Sequence, residues 1–215
     1  MPLIKINKLS KSFQDKKVLN EVSFYVQKGS FFAITGKSGC GKTTLLNILG
    51  KLEDPDSGEI IIDGKKLNEI RQKEYFANEV AFLFQNFALI ERKTVKQNLT
   101  IIRKGARTEV TIEEALRKVG LEDKENCKVY KLSGGEQQRV ALARVMMKKS
   151  KMILADEPTG SLDVENADLV MDVLRELVDH GKTVIMVTHD LTLIDRVDIA
   201  VKITESGLEM IKNIK

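Results

Sequence analysis

Gly36-Lys37-Ser38-Gly39-Cys40-Gly41-Lys42-Thr43-Thr44 is the stretch whose residue types and spacing point most directly to chemistry. The spacing G-x-x-x-x-G-K-[ST] describes a loop that wraps an anion. Glycines let the backbone approach closely and adopt positive φ. The free N–H groups of the helix that follows face the anion, and the helix dipole adds attraction. In such a loop Lys42 reaches the β- and γ-phosphates of a nucleotide and the Thr43 hydroxyl holds Mg²⁺. A glycine-rich turn with a solvent-exposed lysine is the competing reading. The apolar run Phe31–Ile34 before the loop and Leu45–Leu49 after it place the loop between a strand and a helix, which argues against that. A second group, Asp156-Glu157, closes the apolar run Met152–Ala155. Two acids at a buried strand's end sit where α/β sheets bind ligands. Asp156 would hold Mg²⁺ and Glu157 would polarise a water, the task of a general base. A pair of surface acids is the alternative, and the phosphate loop in the same chain outweighs it. A third group is Leu132-Ser133-Gly134-Gly135-Glu136-Gln137-Gln138. Ser133 with Glu136 forms a capping box, and the two glycines expose the first N–H groups of a helix. This second anion site cannot be the first one, so two copies sandwiching one nucleotide is the arrangement it suggests; an ordinary capped helix with no ligand is the alternative, and the better one if this loop stood alone.

These groups need elements to position them. Leu3–Ile6, Glu21–Val26 and Glu59–Ile62 read as strands, with a polar turn over Ser10–Leu19 and an Asp63-Gly64 turn. Phe31–Ile34, Val80–Phe84, Met152–Ala155 and Thr183–Val187 read as buried strands. Asp198–Ile203 and Leu208–Ile211 complete the set. Between Thr94 and Val129 the pattern turns helical, with a capping box at Thr111/Glu114 and a stop at Gly120. A helix is expected from Ser133 to about Lys149, and another over Val164–His180, capped by Asp163 and stopped by Gly181. Strand and helix alternate through the core, so the expected fold is α/β with a mainly parallel sheet. The early strands form a small antiparallel β subdomain, and residues 86–149 a helical subdomain inserted in the core. All of it forms a single domain, 1–215.

Composition limits the function classes. The 42% hydrophobic and 31% charged content is that of an ordinary globular chain. A net charge of +4 with scattered basic residues gives weak support at most for binding nucleic acid or an anionic membrane. No apolar run reaches the eighteen or so residues of a membrane span, and the N-terminus lacks a signal peptide's apolar core. Cys40 and Cys127 make no disulfide framework. The expected location is the cytoplasm, with any membrane span supplied by another chain. Lys215 ends the sequence, so no appended regulatory domain is expected.

The chain resembles the nucleotide-binding subunits of ABC transporters. The family's elements occur in order: the phosphate loop, Gln85 as the Q-loop residue, the Leu132–Gln138 signature and the Walker B strand Ile153–Glu157. Ser161-Leu162-Asp163 follows as the D-loop, and His189 as the switch histidine. Asp156–Asp163 is similar to the lipoprotein-releasing and macrolide-exporter branch. Phe82–Glu91 looks closer to the ATPases of bacteriocin export, the lactococcin group. The resemblance implies an ATPase using ATP and Mg²⁺. Two copies would pair head to tail, with Ser133, Gly134, Gly135 and Glu136 of one facing the nucleotide held by the other. It implies Glu157 and His189 as catalytic residues and Thr43, Gln85 and Asp156 at the metal. Asp163 would couple the two sites. Phe13 would stack on adenine with Val18 beside it; a core aromatic is the plainer reading of Phe13. The implied partner is an integral membrane permease, so the chain would sit on the inner face of the membrane and bind no nucleic acid. Phe87, Leu89 and Ile90 would face that permease, or pack the helical segment on the core, or both. Two alternatives remain: a regulator of cell-envelope enzymes working through a membrane partner, and a soluble ABC ATPase acting on DNA or ribosomes.

Overall fold

The structure is a computed structural model that describes residues 2–160, 162–204 and 207–213. Alternating apolar residues build the first sheet. β1 (Pro2–Phe13) and β2 (Lys16–Gln27) form a long antiparallel pair. The expected turn over Ser10–Leu19 therefore shrinks to Gln14-Asp15, with Gln14 at φ 52°. The polar composition there has another cause. Lys11 is buried because its ammonium pairs with Glu53 at 2.6 Å and Asp56 at 3.3 Å and donates to the Asp54 carbonyl. Paired in this way, a lysine can sit inside a strand pair.

β3 (Phe31–Thr35) is buried at every position and leads through the phosphate loop into α1 (Lys42–Leu49). β4 (Ser57–Ile62) and β5 (Lys65–Lys66) join β1 and β2 in a sheet of order β2-β1-β4-β5. Asp63 and Gly64, both at positive φ, make the tight hairpin turn between β4 and β5. A short turn, α2 (Gln72–Glu74), runs into a π-helical turn and then β6 (Val80–Leu83).

The stretch after β6 is less helical than its sequence predicts. It holds α3 (Val95–Leu99) and α4 (Ile112–Lys118), with one 3₁₀ turn between them and two more after α4. Both start in capping boxes, Thr94/Gln97 and Thr111/Glu114, and Gly120 at φ 64° follows α4. α5 (Gly134–Met146) stops short of Lys149, because the chain beyond it pairs with residues 106–108: the Thr108 N–H donates to the Met147 carbonyl and the Lys149 N–H to that of Ala106. β7 (Met152–Asp156), α6 (Val164–Asp179), β8 (Thr183–Val187), β9 (Ile199–Thr204) and β10 (Gly207–Asn213) complete the chain.

The second sheet has the order β10-β9-β3-β8-β7-β6, parallel except for β10. One of its faces packs, through Phe32, Ile34, Leu154 and Ile185, against α1 and the antiparallel sheet. The other packs, through Phe31, Ala33, Ile153 and Met186, against α5, α6 and the residues between β6 and α5. Burial on both faces is what makes the central strands read as continuous apolar runs. The register aligns Ile34 with Val187, Val187 with Asp156, and Leu83 with Ala155. The C-terminal ends of β3, β8, β7 and β6 thus form one edge, and the candidate residues leave the sheet along it.

Candidate nucleotide site

The phosphate loop is shaped by what its glycines exclude. Gly36, Gly39 and Gly41 have φ of 150°, 76° and 95°. A Cβ on Gly36 would lie 2.6 Å from Cys40 Sγ, and one on Gly41 would lie 2.7 Å from Val18 Cγ1. The backbone is therefore packed too closely for side chains at either position. Lys37, Ser38 and Gly39 are exposed around the curve of the loop, and Thr44 is half-buried on α1. Lys42 is buried and turns its ammonium back into the loop, donating to the Gly36 carbonyl at 2.8 Å and the Lys37 carbonyl at 3.0 Å. α1 differs from the other long helices at its start. α3, α4, α5 and α6 are capped by Thr94, Thr111, Ser133 and Asp163, whereas α1 has no side-chain cap and no acid in its first turn. Its leading N–H groups remain free for an anion. The cradle, the inward ammonium and the uncapped helix fit a polyphosphate.

The Thr43 hydroxyl donates to Asp156 Oδ1 at 3.1 Å, reaching across the end of β8. Asp156 is buried, and that burial pushes its carboxyl above the usual carboxylate range, against the lowering effect of the Thr43 hydrogen bond. An oxygen pair of this kind suits a hard divalent cation, which would restore the charged carboxylate. Gln85 lies exposed beyond β6, next to β7 along the same edge.

Glu157 follows Asp156 in the left-handed region, at φ 46°. Its N–H donates to the Val187 carbonyl at 2.9 Å, and its own carbonyl accepts from Gly160 N–H at 3.1 Å. Its Oε2 lies 2.9 Å from His189 Nδ1, so this ring nitrogen carries the proton when the carboxylate is ionised. The two residues leave neighbouring strands, which is why they meet from 32 positions apart.

The signature stretch is less open than its glycines suggest. Ser133 Oγ accepts from Glu136 N–H and Glu136 Oε2 accepts from Ser133 N–H, so the Glu136 carboxylate serves the capping box. Gly134 is exposed, and Gly135 lies against Asn166 at the start of α6. Asp163 accepts from the backbone N–H and side-chain amide of Asn166. Ser161, in the same segment, lies outside the described residues. Phe13 is 46% exposed, which removes the core reading, and Lys11 Nζ sits 5.3 Å from its ring centre. Val18 packs against Gly41 at the loop.

Arg144 and Asn98 escaped the sequence reading, and Gln138 entered it only as the end of the signature stretch, without a role of its own. Arg144 donates to the carbonyls of Phe87 and Ala88, both at positive φ, and so fixes the turn after Gln85. Asn98, fully buried, bonds both the N–H and the carbonyl of Ile90. Gln138, also buried, donates to the Pro158 carbonyl. Their partners are backbone groups, which leave no trace in residue types; for Asn98 and Gln138, burial against their polarity was the one available signal.

Comparison with known proteins places the chain in a family. The ABC transporter family profile matches residues 19–160. The macrolide export ATP-binding/permease protein MacB of Mannheimia succiniciproducens is 41% identical over 88% of this chain, which spans 31% of that protein's length. An uncharacterized ABC transporter ATP-binding protein of Bacillus subtilis is 39% identical, covering 96% of this chain and 95% of its own. A methionine import ATP-binding protein of Legionella pneumophila is 37% identical over 91% of this chain and 60% of its own length. Among solved structures, a dimeric ATP-binding cassette in a post-hydrolysis state with ADP and Pi superposes with TM-score 0.85 at 33% identity, over 97% of this chain and 98% of that one. The chain therefore belongs to the ABC transporter family, as an ATPase domain whose cofactors are ATP and Mg²⁺.

Proposed function

We propose that this domain powers export of a peptide or bacteriocin-like substrate through a separate membrane permease, working as a head-to-tail pair on the inner face of the membrane. The observation that carries the catalytic part is the convergence of Lys42, Thr43–Asp156 and Glu157–His189 on one sheet edge. Bound ATP and Mg²⁺ supply the phosphoanhydride bond and the cation that offsets its charge. Lys42 exchanges its two carbonyl partners for phosphate oxygens. Thr43 and Asp156 would hold the cation, and Gln85 would report on it from the adjacent loop. Glu157 accepts the proton of the attacking water, and His189 orients the Glu157 carboxylate. Ser133, Gly134 and Gly135 face the partner copy's nucleotide, Glu136 holds their helix start, and Asp163 lies at the junction between the two sites. Phe13, exposed and flat, offers a stacking face for adenine beside Val18.

A groove supports the permease partner. It encloses about 510 Å³, with Phe76, Phe82, Ala88 and Ile101 in its walls. Lys73, Arg103, Arg144 and Lys148 also line it, and no carboxylate is among its lining residues. An amphipathic segment with aliphatic residues and an acid fits this chemistry. No helix among the described residues is long and apolar enough to cross a membrane. Ile90 is 46% exposed, while Phe87 and Leu89 pack partly on the core, so the segment after Gln85 offers one large apolar side chain, beside the small Ala88, to a partner.

The export direction is supported by the macrolide export relative and by the likeness of Phe82–Glu91 to bacteriocin-export ATPases. The methionine import relative favours a second reading, uptake by the same engine. Affinity purification of tagged Glu157→Gln protein with ATP, from detergent-solubilised cells that make it, tests the proposal. The expected result is one polytopic membrane protein in fixed ratio, lost when Ile101→Glu charges the groove. Recovery of ribosomes or DNA-bound proteins instead would overturn it. A solute-binding protein accompanying the permease would favour uptake.

A further inference from the structure

Gln138 lies on α5 five residues after Ser133, about 7.5 Å along the helix axis. It is 2% exposed, and its amide nitrogen donates to the Pro158 carbonyl at 2.7 Å. That carbonyl can only accept, which fixes the amide's orientation. Its Oε1 then has no hydrogen-bond partner among the described residues. An apolar side chain of the same length would remove that unmet oxygen but leave the buried Pro158 carbonyl without its donor, so the amide stands where this one hydrogen bond is needed.

What the amide holds explains its presence. Pro158 directly follows Glu157, which occupies a backbone region unfavourable for any residue with a Cβ. Two backbone bonds hold that turn from the sheet side and from within: Glu157 N–H to Val187, and Gly160 N–H to Glu157. Gln138 holds it from outside, and it does so from the helix that starts at Ser133. That helix start also touches the Asp163 segment, since a Cβ on Gly135 would lie 3.5 Å from the Asn166 amide nitrogen bonded to both Asp163 oxygens.

We infer that Gln138 is a positioning residue for Glu157, which transmits engagement of the α5 start by the partner copy's nucleotide to the carboxylate in its own chain's site. This rests on the two-copy reading above. A contact made at one nucleotide then sets the geometry of the general base at the other, through one helix and one hydrogen bond.

Gln138→Met keeps length and burial and removes the donor. In the full chain, kcat for ATP is expected to fall about tenfold while KM stays within about twofold, as when a group acting in the transition state is misplaced. The Hill coefficient for ATP is expected to fall from above 1 to about 1. The melting temperature without nucleotide should fall by only a few degrees, the loss of one hydrogen bond at the Pro158 carbonyl, so kcat read well below it separates positioning from loss of structure. In a Glu157→Gln background Gln138→Met should have no further effect on residual turnover, because it acts through the removed carboxylate. Gln138→Leu repeats the test with different packing. Unchanged kcat and Hill coefficient, or an equal fractional loss in the Glu157→Gln background, would overturn the assignment while leaving the two-copy reading intact. Failure of Glu157→Gln to dimerise with ATP would overturn both.

Discussion

Lys42, Thr43, Asp156, Glu157 and His189 show how residue types declare chemistry before a fold is known. Each is polar, and each follows an apolar strand or opens a helix after one. Lys42→Ala removes the ammonium that lies 2.8 Å and 3.0 Å from the loop carbonyls; nucleotide binding, read with a fluorescent ATP analogue, is expected to fall at least a hundredfold, the loss of a charge-assisted contact and its neighbours. Asp156 carries a pH signature. Burial raises its carboxyl in the folded chain, so the folded state holds its proton to higher pH than the unfolded state does. In the metal-free protein its contribution to stability therefore declines as pH rises from the unfolded value of 3.8 through the raised folded value, and stays low above it. Asp156→Asn should raise the melting temperature of the metal-free protein at pH 8, with the difference shrinking towards pH 4, while Mg²⁺-dependent turnover is lost. Cys40 Sγ sits against Gly36 inside the loop, so alkylating it should block hydrolysis, with bound ATP protecting; full turnover after quantitative labelling would contradict this. Arg144, Asn98 and Gln138 were illegible because each serves a backbone group 4 to 57 positions away, and a carbonyl has no residue type.

At the scale of elements, caps and apolar runs were the legible features. The Thr111/Glu114 and Ser133/Glu136 boxes and the Asp163 cap stand where their spacing puts them. The Thr94/Gln97 box carries the same four-residue spacing and passed unread within a polar stretch. Two boundaries were hidden by tertiary contacts: the ion-paired Lys11 inside β1, and the end of α5, where the chain turns to pair with residues 106–108. Caps also allow stability to be separated from function. Thr111→Ala should cost about 1 kcal/mol in urea unfolding and leave turnover unchanged, since α4 carries no site residue. Ser133→Ala should cost a similar amount, about 1 kcal/mol, and reduce turnover as well, because its helix start is assigned to the partner's nucleotide.

For the whole molecule, alternation of strand and helix was enough to predict a mainly parallel sheet with the candidate residues at its C-terminal edge, and the early alternating strands pointed to the separate antiparallel sheet. The groove could not be read in advance, because its walls come from Lys73 to Lys148 and meet only in the fold. One chain contains both a nucleotide cradle and, on α5, a second helix start that the proposal assigns to a nucleotide held elsewhere, which makes two copies the proposed working unit. Light scattering of Glu157→Gln at high protein concentration with ATP and Mg²⁺ tests that most directly. The expected result is a particle of twice the 24.2 kDa chain mass that reverts to one chain when ATP is omitted or when Lys42→Ala is added. A single-chain mass under saturating ATP would contradict it.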